Sequence, residues 1–88
     1  METKNMEQQP KTYSIKDLSL ASFLLASDGI TFIRVERKSD HIVVFHFSPP
    51  DKAKELADAY WSDQTTIQPR KLFGAQRDLK DLIFANKD

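Results

Sequence analysis

The segment Pro69 to Phe84, Pro-Arg-Lys-Leu-Phe-Gly-Ala-Gln-Arg-Asp-Leu-Lys-Asp-Leu-Ile-Phe, constrains the fold more than any other stretch. Proline suits a first helical turn, where its missing N–H is not needed. Wound as a helix, the segment carries an aliphatic stripe of Leu72, Ala75, Leu79, Leu82 and Ile83. A second stripe interleaves basic and aromatic groups: Arg70, Phe73, Arg77, Lys80 and Phe84. The first reads as core and the second as a contact surface. Gly74 inside this helix costs about 1 kcal/mol against alanine and points to a close crossing of another element.

Upstream, Ser14 is a helix cap with Asp17 three positions on, near the positive end of the dipole. The expected helix runs from about Ile15 to Ser27, with Gly29 as its left-handed stop. Its apolar residues, Ile15, Leu18, Leu20, Ala21, Phe23, Leu24 and Leu25, cover more than one arc. Such a helix is covered on more than one side, either centrally within the domain or by a second molecule. Ile30–Arg37 and His41–Phe47 read as two strands joined by Lys38-Ser39-Asp40. A three-residue loop aligns Ile33, Val35, Val43, Phe45 and Phe47 on a core face. The other face keeps Ile30, Phe32, Ile42 and Val44 among Arg34, Glu36 and His46. Ser48-Pro49-Pro50-Asp51 then opens a helix, with Ser48 as cap, the prolines in the first turn and Asp51 meeting the dipole. Its buried stripe is Ala53, Leu56, Ala57 and Tyr60, and Trp61 lies off that stripe. The β-branched run Thr65-Thr66-Ile67-Gln68 reads as a third strand at the hairpin's edge.

The chain has 88 residues, enough for one domain, with a disordered polar tail expected over 1–11 and a single domain over 12–86. No cysteine is present, which excludes disulfides and thiolate metal sites and fits the cytosol. No apolar run approaches the roughly 20 residues of a membrane span, and 1–11 lacks the hydrophobic stretch of a secretory signal. Thirteen basic residues balance thirteen acidic ones. Residues 49–64 carry two lysines against four acids, whereas 65–88 carry five basic groups against three acids. That polarity is weak beside proteins that grip long nucleic acids.

Catalytic signals are sparse. His41 and His46 are five apart on one strand, so they face opposite sides and cannot chelate one metal locally. His41 reads as a solvated turn residue and His46 as a strand-surface residue. Asp78 and Asp81 are three apart on a helix, but Arg77 is placed to pair with Asp81. Glycines occur only at 29 and 74, which excludes a glycine-rich phosphate loop, and no serine sits in a nucleophile motif. No enzyme activity, cofactor or metal is expected. On the closing helix, arginine and lysine could neutralise phosphates while Phe73 and Phe84 stack on bases. A protein partner could use the rings as anchors and the cations as rim. The bland alternative is that both rings widen the core face and pack on the first helix.

The string from Tyr13 to Leu24 (Tyr-Ser-Ile-Lys-Asp-Leu-Ser-Leu-Ala-Ser-Phe-Leu) precedes a glycine, a hairpin ending in Phe-x-Phe and a helix ending in Tyr-Trp. A Pro-Arg-Lys-Leu-Phe helix with Leu-Lys near its end closes the series. This order resembles a small prokaryotic family catalogued as a domain of unknown function. The matching positions are Asp17, Leu18, Leu20, Ala21, Gly29, Phe45, Phe47, Tyr60, Pro69, Phe73, Leu79 and Lys80. The resemblance implies a stand-alone small domain, often bacterial or from mobile elements, and brings no catalytic residues with it.

The expected fold is α+β, in the order helix, β-hairpin, helix, short strand, helix, with the helices covering a small antiparallel sheet. The expected function is a small cytoplasmic, non-enzymatic interaction module that binds a protein partner or itself as a homodimer, away from membranes. The alternative is a nucleic-acid-binding accessory using the basic–aromatic stripe. The candidate contact residues are Arg70, Lys71, Phe73, Arg77, Lys80 and Phe84, while self-association is expected from the wide apolar circumference of Ile15–Ser27 and the second apolar face of the hairpin.

Overall fold

The computed structural model describes residues 12–85. The tail expected over 1–11 lies outside the described residues. Among the described residues six elements follow one another: β1 (Tyr13–Ile15), α1 (Leu18–Ala26), β2 (Thr31–Arg37), β3 (Val43–Ser48), α2 (Pro50–Trp61) and α3 (Pro69–Ala85). The architecture is α+β, with three helices and a three-stranded antiparallel sheet of order β1-β3-β2. The third strand comes from the front of the chain. Residues 65–68 form a connection without regular structure.

That exchange shortens the first helix. Ser14 does not cap it but lies in β1, opposite His46 on β3. Asp17 caps it instead, its carboxylate accepting from the Leu20 N–H at 2.9 Å. An anionic acceptor at the positive end of the dipole is the better cap. It also frees Tyr13 and Ile15 to pack against the core as alternate residues of a strand. Gly29, at φ 84°, turns the chain from α1 toward β2.

Leu20, Ala21, Ser22, Phe23 and Leu24 are all buried in α1. Five consecutive buried residues mean cover around the whole helix, and the domain itself provides it. The four apolar ones share one core cluster with Phe45 and Phe47 of β3, Ala53 and Ala57 of α2 and Leu79 of α3. Phe23 also meets Tyr60, ring centroids 5.3 Å apart. The central placement of α1 is therefore the one realised. Ser22 is tolerated inside because its hydroxyl donates to the Leu18 carbonyl at 2.7 Å.

The hairpin keeps its expected core face with one exchange. Its loop spans five residues, with Arg37 opposite Val43, so the strands slip by two positions from the three-residue-loop register. Side chains alternate with period two, so a two-residue slip leaves every residue on its face. Val35, Val43, Phe45 and Phe47 therefore still point together. A bulge between Phe32 and Arg34 does what the slip does not. It turns Ile33 out to 42% exposure and brings Phe32 onto Phe47, 5.5 Å between centroids.

α2 begins after Pro49, which occupies the cap position without a side-chain bond. Ser48, expected as the cap, is the last residue of β3 and pairs with Thr31. The stripe of Ala53, Leu56, Ala57 and Tyr60 packs inward as expected. On α3, Ala75 and Leu79 are buried, and Leu72, Leu82 and Ile83 pack against the same core.

Gly74 marks no close crossing: a methyl group added there meets no described atom within 4 Å beyond the backbone of its own helix. Its cost is therefore purely that of glycine in a helix. Gly74→Ala should stabilise the domain by about 1 kcal/mol. A urea titration reads this directly. An unchanged or lower midpoint would mean that the site is not the open helical position described.

Candidate functional site

Two groups of side chains stand out, one on α3 and one on the sheet. On α3, the arc away from the core holds Arg70, Phe73, Arg77, Lys80 and Phe84. At 100° per residue these five fall within about 80° of one another. Phe73 and Phe84 are eleven positions apart, about 16.5 Å along the axis at 1.5 Å per residue. Between them stand Arg77 and Lys80, both exposed. Phe73 is 64% and Phe84 69% exposed. The bland alternative, with both rings packed on the first helix, is therefore not the one the fold adopts. Lys71, expected in the same contact set, lies on the flank of α3 and, together with Arg70, lines a cleft beside Ala26, Ser27 and Asp28.

Among the described residues, Arg70, Lys71, Arg77 and Lys80 form no salt bridge. The expected Arg77–Asp81 pair is absent. The basic residue precedes the acidic one there, the weaker orientation against the helix dipole, and exposed pairs gain little in water. No described acidic side chain pairs with the cations on this face.

The second group is one the sequence did not disclose. His46 is no surface residue: it retains 7% exposure at the centre of the sheet. The strand pairing sets Ser14, His46 and Arg34 side by side on one face. His46 Nδ1 lies 2.9 Å from Ser14 Oγ and 3.3 Å from Thr12 Oγ1. Its Nε2 lies 2.9 Å from Glu36 Oε1. Lys38 Nζ reaches the other carboxylate oxygen at 3.1 Å, and Arg34 sits 3.9 Å from the first. The hydrogen bond from His46, then that from Lys38, holds the Glu36 carboxyl below its ordinary pKa of 4.5. Among the described residues, no buried side-chain polar atom lacks a partner.

A cleft of about 670 Å³ runs along this region, lined by Ser14, Lys16, Leu20, Val44, His46 and Trp61 among others. Trp61, at the end of α2, is 62% exposed and contributes an aromatic wall. The signal that could have revealed the network was the alternation Tyr13-Ser14-Ile15, a strand pattern that the helical run behind it masks. His41, by contrast, is exposed in the turn, as expected.

No helix among the described residues is long and apolar enough to cross a membrane. Comparison with curated proteins and with solved structures finds no match. A family model does match, over residues 10–85, and its reach from the approach to β1 through the end of α3 takes in every element described above. On that match the chain belongs to the family described as a domain of unknown function, DUF5659.

Proposed function

We propose that this domain is a small interaction module that binds a partner protein through the solvent face of α3. One observation carries the reading. Phe73 and Phe84 stand exposed in a regular helix, with cations between them that form no salt bridge among the described residues. Two phenyl rings in water gain nothing for the free domain, whereas aromatic anchors rimmed by arginine are typical of contact surfaces. Pairing with a second copy is the weaker form of the reading. The wide apolar girdle of α1, which motivates it in the sequence, is covered from within. A two-fold antiparallel pairing of the α3 face on itself also sets Arg77 opposite Lys80, like charge against like.

The double substitution Phe73→Ala, Phe84→Ala separates binding from folding. Both sites are exposed, so stability should change by less than about 0.5 kcal/mol per site. Affinity purification from native cells should then lose a co-purifying protein at least about tenfold, the loss of one or more anchors at about 2 kcal/mol each. An unchanged set of co-purifying proteins would remove this face from the account.

The exposed cations favour a second reading, a nucleic-acid accessory. Binding of single- and double-stranded oligonucleotides across a salt series discriminates the two, since phosphate contacts weaken steeply with salt. No binding at low salt eliminates the second reading.

A further inference from the structure

We propose that Ser14 is a base-activated nucleophile, and that the cleft beside it takes carboxylic esters with an apolar body. The inference is independent of the α3 face and rests on different residues. A carboxylate only accepts hydrogen bonds, so the 2.9 Å contact with Glu36 requires His46 Nε2 to carry the proton. In its neutral form the ring then has its lone pair on Nδ1, and Ser14 Oγ lies 2.9 Å from that nitrogen. Thr12 approaches the same nitrogen less closely, at 3.3 Å. Lys38, at 3.1 Å from Glu36, helps keep that carboxylate ionised and the tautomer fixed. His46 is buried, while Ser14 is an exposed residue that lines the cleft. A shielded base, an orienting acid and an accessible hydroxyl are the elements of nucleophilic acyl transfer. No sequence motif reveals them because Ser14, Glu36 and His46 lie on three different strands.

The cleft sets the substrate class. Leu20, Val44 and Trp61 supply apolar walls beside Ser14. Lys16 lines the same cleft and forms no salt bridge among the described residues, so it is the cation at hand for a developing oxyanion. Ser14 gives its proton to His46 Nδ1 as Oγ bonds the ester carbonyl carbon, and the carbonyl π pair moves onto oxygen. As that pair returns, the bond to the departing alkoxide breaks, and the imidazolium hands its proton to the alkoxide oxygen. Water then repeats the sequence. Its proton goes to Nδ1, its oxygen bonds the acyl carbon, and Ser14 leaves with the proton from Nδ1. Ester and water become acid and alcohol, with no further reactant.

The test incubates the full chain with an alkyl fluorophosphonate, read by intact mass and peptide mapping, and with p-nitrophenyl butyrate, read as nitrophenolate release. One adduct is expected, on Ser14, with nitrophenolate release abolished in Ser14→Ala. General-base assistance contributes about 10²–10⁴-fold, so His46→Gln should slow labelling at least about tenfold. Glu36→Gln alters a half-exposed side chain and keeps the ring, and it decides the matter should the His46 variant fail to fold. It should also slow labelling while the melting temperature confirms a folded domain. No adduct, an adduct on Thr12, labelling of the exposed Ser62 at an equal rate, or an unchanged rate in folded Glu36→Gln would each overturn the proposal.

Discussion

Phe47→Ala should remove about 3–5 kcal/mol of stability, the cost of truncating a fully buried phenylalanine. Phe47 has no exposed surface and lies on the central strand. It pairs with Tyr13 on one side and Phe32 on the other, so its ring sits where all three strands meet the helices. The loss has two parts: the apolar surface no longer withdrawn from water, and a cavity that a paired central strand cannot collapse to fill. A chain of 88 residues has a total stability of only about 4–13 kcal/mol. The melting temperature should fall by at least about 12 °C, at about 4 °C or more per kcal/mol for a domain this size. Phe73→Ala is the matched control, the same chemical deletion at a ring 64% exposed. If both substitutions moved the midpoint equally, the core assignment would be wrong.

Leu79→Ala should cost about 2–5 kcal/mol, and by a different route. Leu79 is the fully buried member of the α3 stripe and belongs to the core cluster that holds Leu20, Ala21 and Leu24 of α1. Truncating it loosens the docking of α3 while leaving the strand pairing untouched. Urea unfolding should show a lower midpoint. Amide exchange should quicken first in α3 and α1, and least in β3, because local opening follows local loss of apolar contact. Protection lost uniformly across the sheet and helices would mean that α3 has no separable docking energy.

The two substitutions also mark two kinds of legibility. The α3 stripe could be read from the chain because helical periodicity is local: Leu72, Ala75, Leu79, Leu82 and Ile83 face inward whatever they pack against. The same periodicity put Phe73 and Phe84 on the opposite arc. Whether a neighbour covered that arc was a tertiary matter, and no described residue encloses either ring. The hairpin's core face survived an error in loop length because a slip of two residues conserves parity, and only the bulge at Ile33 exchanged one residue for another.

Local patterns thus determined the α+β class, the order of helices and hairpin and most core residues. Periodicity acts within a few residues, and this chain's strands and helices obey it. Only the tertiary structure decided which segment became the third strand. Tyr13–Ile15 and Thr65–Gln68 are both short, and the choice turns on a capping carboxylate at Asp17 and on pairing with a strand some thirty residues away. The polar network followed from that choice. Ser14, Glu36 and His46 share no sequence spacing, and become neighbours only because β3 lies between β1 and β2. Contacts across strands depend on register, which no single strand encodes, so the fold alone could bring a buried histidine to an exposed serine.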